Sequence, residues 1–224
     1  ERKAMIADIA HELRTPLTSM RLRLQALEDG LLPFEAREIA SLNRSAELLS
    51  RLIEDLRTLS LADGGRLRLT MSNQDVTRIV RDTVDLQRPG FDQKGVHLQL
   101  NETAAPHMAA VDRDRITQVI SNLLDNALRV TDEGGTVSVE SSATATDLLI
   151  TISDTGPGLS DASLAKAFDR YFQDDRDTRG GSGLGLAIVD ALVKLHGGSV
   201  SASNTGTGAR FTVKLPRTGA TMRS

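Results

Sequence analysis

The stretch Ile39-Ala40-Ser41-Leu42-Asn43-Arg44-Ser45-Ala46-Glu47-Leu48-Leu49-Ser50-Arg51-Leu52-Ile53-Glu54-Asp55-Leu56-Arg57-Thr58-Leu59 carries apolar residues at 39, 42, 46, 49, 53, 56 and 59. Steps of three and four are the signature of one helix face turned toward another helix, the seam of a bundle. Upstream, Met5, Ile9, Leu13, Pro16/Leu17, Met20, Leu24 and Leu27 repeat the spacing, and Asp29-Gly30-Leu31-Leu32-Pro33 breaks it. Two such helices with a short connection predict an antiparallel hairpin. A lone hairpin leaves both seams wet, so a second copy completing a four-helix bundle, a homodimer, is expected.

Gly64-Gly65 punctuates this pattern, and the period then changes. Alternating or β-rich stretches fall at 67–71, 96–100, 108–111, 136–141, 148–153, 199–203 and 210–215. Helical stretches fall between them at 74–87, 112–131, 162–171 and 183–196. The expected fold is therefore an α hairpin forming a dimeric four-helix bundle, followed by an α/β sandwich with its helices on one face of the sheet. The expected boundaries are 1–66 for the hairpin, 67–217 for the α/β domain and 218–224 for a tail. Residues 169–182, rich in Asp, Arg and Gly and without apolar periodicity, read as a mobile loop.

Composition narrows the function classes. Of 224 residues, 39% are hydrophobic and 25% charged, which suits a folded chain with a soluble surface. A net charge of −3 gives no reason to expect nucleic acid or an anionic membrane surface as the main partner. Cysteine is absent, which removes disulfides, thiolate metal sites and a cysteine nucleophile, and suits a reducing compartment. The longest strictly apolar runs, such as Leu186–Val189, are far too short to cross a bilayer. The sequence opens at Glu1 inside a helical pattern with no secretory signal, and is read as a piece of a longer chain.

Among the four histidines, His97, His107 and His196 read as structural or merely exposed. His11 differs. At about 100° per residue it points away from Ile9 and Leu13, on a small polar face with Ala4, Asp8, Thr15 and Thr18. Pro16 one turn on removes a helical hydrogen bond, should kink the chain, and costs on the order of 3 kcal/mol. A neutral imidazole, with a reference pKa of about 6.5, is a competent nucleophile near neutral pH. Adjacent Glu12 is positioned in sequence to take its proton. The run Ile9-Ala10-His11-Glu12-Leu13-Arg14-Thr15-Pro16-Leu17 resembles the phosphoacceptor box of two-component sensor histidine kinases, and the hairpin resembles their dimerisation and phosphotransfer domain.

Three further clusters lie downstream. Asn122 and Asn126 share a helix face at i, i+4, with Arg129 one turn further; amide oxygens suit Mg²⁺ and a guanidinium suits phosphate. Asp154-Thr155-Gly156-Pro157-Gly158 ends a β-rich stretch, where a carboxylate can accept from the adenine amine and Gly156 and Gly158 let the backbone approach a flat ring. Gly180-Gly181-Ser182-Gly183-Leu184-Gly185-Leu186 opens a helix, a ready phosphate cradle that is neither a Walker loop nor a dinucleotide fingerprint. Taken singly, each also reads as solvated surface or an ordinary turn. Their order resembles the N, G1, F, G2 and G3 boxes of the histidine kinase catalytic domain, whose ATP-binding fold is shared with gyrase and heat-shock chaperone ATPases. Ala167–Phe172, including Arg170, is similar to the F box, and Gly206-Thr207-Gly208 to the last glycine box. Ala10, Arg129, Val130 and Gln173 depart from the commoner residues of the pattern.

The resemblance implies a protein-histidine kinase that uses ATP and Mg²⁺. Adenine would lie on Asp154 with Gly156 and Gly158, metal on Asn126 with Asn122 assisting, and phosphates against Arg129 and Gly181, Gly183, Leu184, Gly185 and Leu186, with Arg170 at the same site. His11 would be autophosphorylated, Glu12 would take its proton, and the phosphoryl group would pass to an aspartate of a response regulator. His11-Glu12-x-x-Thr15 is also similar to the family's phosphatase pattern, with Thr15 orienting water. The resemblance also implies a cytoplasmic location beneath a membrane anchor upstream. Two rival readings stand beside it: a degenerate kinase that only senses nucleotide and scaffolds a partner, and a gyrase-like ATPase, which leaves the hairpin and His11 unexplained.

Overall fold

The computed structural model describes residues 2–101, 105–172 and 182–217, with side chains described from Leu13 onward. The chain divides into two compact units, Glu1–Ser60 and Leu61–Ser224. In the first, α1 (Arg2–Glu28) and most of α2 (Ala36–Asp63) make the hairpin that the apolar spacing predicts. The turn between them closes where Leu31 and Leu32 both donate backbone N–H to the Ala26 carbonyl, at 2.8 and 3.0 Å, with Gly30 left-handed at φ +69. Arg23 of α1 and Glu38 of α2 pair at 2.9 Å. Helix α1 continues through Pro16 without interruption. Along the predicted seam Leu59 is buried, as is its off-seam neighbour Leu52, whereas Leu17, Leu24, Ile39 and Ile53 stay exposed.

The second unit is a mixed sheet covered by helices. Strands β1 (Ser72–Asp75) and β3 (Met108–Val111) form a short antiparallel pair. The main five-stranded sheet runs β2-β4-β5-β7-β6, from β2 (His97–Asn101), β4 (Thr136–Ala143), β5 (Asp147–Asp154), β6 (Ser199–Asn204) and β7 (Ala209–Pro216). Only β2 and β4 pair in parallel; every other neighbouring pair is antiparallel. Val137, Val139, Ile150, Ile152, Phe211 and Val213 share the buried face, as the register Val139↔Ile152↔Phe211 requires. Helices α3 (Val76–Lys94), α4 (Arg113–Val130) and α6 (Gly185–Leu195) supply the other half of the core with Ile79, Phe91, Ile116, Ile120, Leu123 and Ile188. Asp75 and Asp112 cap α3 and α4 by accepting from Arg78 and Arg115 N–H. Short α5 (Asp161–Lys166) follows β5.

Three boundaries differ from those read in the sequence. Residues 67–71 pair with no strand among the described residues; the ladder begins at Ser72. Thr70 N–H instead donates to Asp112 Oδ2 at 2.8 Å, so the alternating Leu67, Leu69 and Met71 mark one-sided burial rather than a strand. Helix α3 runs past residue 87 and through Pro89 to Lys94, because Phe91 is fully buried beyond the proline and Gly95 provides a left-handed cap. Helix α5 ends at Lys166 rather than reaching 171; Phe168 leaves the helix to meet Phe211 edge to face at 6.4 Å, and Tyr171 takes φ 58.

Candidate functional site

The end of β5 delivers Asp154 into the interior, 3% exposed. Its Oδ1 accepts two backbone N–H groups, from Gly156 at 2.8 Å and Ala209 at 3.2 Å, which fixes the carboxylate between two loops. Burial pushes this carboxyl above its usual range, opposed by those two bonds, which favour the ionised form. The glycines around it answer to space. A Cβ on Gly208 would lie 2.1 Å from the Asp154 carbonyl oxygen, and one on Gly156 would lie 2.9 Å from Asp154 Oδ1. Gly158 sits at φ +69, and the loop beyond it is braced by Asn204, which accepts from Leu159 N–H at 2.8 Å and donates to its carbonyl at 2.7 Å.

The second wall is α4. Asn122, Asn126 and Arg129 are half-buried on a face distinct from the buried Ile116, Ile120, Leu123 and Ala127. Asn122 Nδ2 donates to the Gly185 carbonyl at 3.3 Å, tying α4 to the first residue of α6. Arg129 Nη2 donates to Asn126 Oδ1 at 2.8 Å, so the guanidinium and the candidate metal-binding amide already touch. Helix α6 starts behind Leu184 with no side-chain cap, leaving its first N–H groups as donors at the positive end of the helix dipole. Gly183, at φ +62, accepts from Tyr171 N–H through its carbonyl, and a Cβ there would lie 2.7 Å from the Tyr171 backbone. Gly183, Leu184, Gly185 and Leu186 are thus set at a helix opening that Asn122 touches.

Arg170 precedes Tyr171 beside this opening, but its side chain is engaged with α2. Both guanidinium ends grip Asp63 in the last turn of α2, Nη1 on Oδ2 at 2.6 Å and Nη2 on Oδ1. The bond from Arg170 holds the Asp63 carboxyl below its usual range. Thr15 is exposed on α1. His11 and Glu12 belong to α1, but their side chains, and the whole of Gly181, lie outside the described residues. Sequence reasoning passed over Asn204 and Asp112. The latter accepts from Thr70 and Arg115 N–H and donates its own N–H to His196 Nε2 at 3.1 Å. No local motif announces Asn204, nor the Thr70 and His196 contacts of Asp112, because those partners are far along the chain. Among the described residues no cluster of His, Cys, Asp and Glu has the makings of a metal site, so a cation here would rest on amide oxygens and substrate phosphates.

The geometry has counterparts. Residues 1–65 match the family described as the His Kinase A (phospho-acceptor) domain, and residues 111–219 match the histidine kinase-, DNA gyrase B- and HSP90-like ATPases. The chain is 36% identical over 221 residues to the signal transduction histidine-protein kinase BaeS of Escherichia coli, covering 96% of this chain and 47% of BaeS. The histidine kinase AdeS of Acinetobacter baumannii superposes with a TM-score of 0.78 at 33% identity, over 92% of this chain and 98% of that one. Full-length ShkA in complex with AMPPNP superposes with a TM-score of 0.72 at 27% identity, over 97% of this chain and 46% of that one. The chain belongs to the two-component sensor histidine kinase family, with a phosphoacceptor hairpin followed by the family's ATPase-type domain. It spans less than half the length of the curated relatives BaeS and WalK. No helix among the described residues is long and apolar enough to cross a membrane.

Proposed function

We propose that this chain is the kinase portion of a longer, membrane-anchored sensor, acting on the cytoplasmic side: it transfers the γ-phosphoryl group of ATP to His11 and then to an aspartate of a response regulator. Its working domains are residues 1–66 and 67–217, with 218–224 as a tail. The observation that carries the reading is Asp154, a buried carboxylate held between two glycine loops, in a chain whose first helix bears the phosphoacceptor motif. Adenine's exocyclic amine donates to Asp154, Gly156 and Gly158 admit the ring, and the phosphates meet Arg129, Gly181, Gly183 and the N–H groups of Leu184, Gly185 and Leu186.

Amide oxygens of Asn126 and Asn122 suit Mg²⁺, which when bound neutralises phosphate charge. Arg129 then leaves Asn126 for the phosphates. His11 attacks the γ-phosphorus, forming an N–P bond as the P–O bond to ADP breaks, and Glu12 takes the ring proton. Arg170 joins the phosphates once Asp63 releases it. Thr15 orients water for removal of the phosphoryl group from the regulator. Two hairpins pair into a four-helix bundle, a homodimer, and the exposed Leu17, Leu24, Ile39 and Ile53 support that pairing. Incubation with labelled ATP and Mg²⁺, followed by an isolated receiver domain, tests the relay. Label appearing on the kinase and then on the receiver is expected; steady ATP turnover with neither protein labelled would overturn it.

A further inference from the structure

We propose that Lys94, the last residue of α3, is a positioning residue for the nucleotide site, holding the turn of α4 that presents Asn126 and Arg129. The proposal rests on the nucleotide-binding reading of that face. Lys94 Nζ donates to the carbonyls of Leu128 at 2.5 Å and Arg129 at 3.0 Å. These carbonyls belong to the last turn of α4, where a helix has no backbone donors left to offer. Thr131 serves the preceding one, Ala127, through its N–H at 3.0 Å and its hydroxyl at 2.7 Å. The cap on α4 is therefore shared between its own sequel and a side chain from another helix.

The end of α3 is itself anchored to the same corner. Gly95 turns left-handed at φ +70 and accepts from Gly134 N–H at 2.7 Å. A Cβ on Gly95 would lie 2.8 Å from Glu133 Cγ, so the loop after α4 packs directly on this glycine. Lys94 thus reaches α4 from a fixed base. Arg129 receives the ammonium on its carbonyl while its guanidinium donates to Asn126 Oδ1, so one residue links the cap to the proposed metal-facing amide. The ammonium also offsets the negative end of the α4 dipole, which would otherwise face an incoming triphosphate. Its effect falls on nucleotide affinity, not on the transfer step.

The test uses the full chain, with AMPPNP and Mg²⁺ as the binding probe and ATP for autophosphorylation. Lys94→Ala is expected to raise both Kd for AMPPNP and KM for ATP by about three- to fivefold, with kcat nearly unchanged. Lys94→Arg, keeping charge and donors, restores wild-type values, and Lys94→Gln, which donates without charge, falls between. If Lys94→Ala does not fold, Lys94→Gln against Lys94→Arg gives the same comparison. Wild-type Kd and KM in a folded Ala or Gln variant, or a loss confined to kcat, overturns the proposal. A wild-type chain that fails to bind AMPPNP overturns the underlying nucleotide reading instead.

Discussion

Asp154 is proposed to combine two tasks on one carboxylate: it accepts the backbone N–H bonds of Gly156 and Ala209 that hold two loops, and it would accept from adenine. Because burial raises its pKa, ionisation works against folding, whereas the amide of Asn accepts the same two N–H bonds without a charge. Asp154→Asn is therefore expected to melt no lower than the wild type near neutral pH. It should nonetheless bind ATP at least about tenfold more weakly, since its NH₂ opposes the adenine amine. Calorimetric titration alongside thermal melts reads both effects. Gly208→Ala makes the complementary case: its methyl would collide with the Asp154 carbonyl, and denaturant titration should show a loss of about 1–3 kcal/mol. As candidates, Asp154, Gly156, Asn122 and Asn126 were legible in the sequence because each sits in a short motif with its own spacing. Lys94 and Asn204 were not, because their contacts join residues 34 and 45 positions apart and no local pattern encodes such pairs.

At the scale of elements, α6 and α4 are joined through His196. Its ring accepts the Asp112 N–H at Nε2, while Nδ1 donates to the Leu192 carbonyl at 2.8 Å, an arrangement only the neutral imidazole satisfies. Burial lowers its pKa below the ordinary 6.5. A lowered folded-state value means that the stabilisation is present above 6.5 and is lost as pH falls toward and through the folded value. Melting temperature should drop from pH 7.5 to 5, with part of that drop absent in His196→Leu. The variant should also be about 1–3 kcal/mol less stable at pH 7.5, because the Asp112 N–H loses its partner. A pH profile identical in the two proteins would contradict this. Helix α4 was bounded well from sequence because its apolar stripe, Ile116, Ile120, Leu123 and Ala127, repeats along its whole length. Residues 67–71 and the far end of α3 were not, because Asp112 takes the Thr70 donor and buried Phe91 carries the helix past Pro89.

For the molecule as a whole, a hairpin proposed to need a second copy precedes an α/β domain with its own buried core. Ile53, 58% exposed on α2 although it lies on the predicted seam, is the place to test the first half. Ile53→Glu is expected to shift light scattering at micromolar concentration from dimer to monomer while leaving AMPPNP affinity intact. A monomeric parent chain would contradict it. The hairpin was legible because a bundle seam is periodic, whereas the pairing of Arg170 with Asp63 depends on a fold that spacing alone does not describe. Phosphoryl transfer to His11 is tested most directly by phosphosite mapping by mass spectrometry after exposure of the folded chain to ATP and Mg²⁺. The account predicts an acid-labile, alkali-stable phosphoryl group on His11, absent from His11→Ala. Phosphate retained by His11→Ala, or a modification stable to acid, would contradict it.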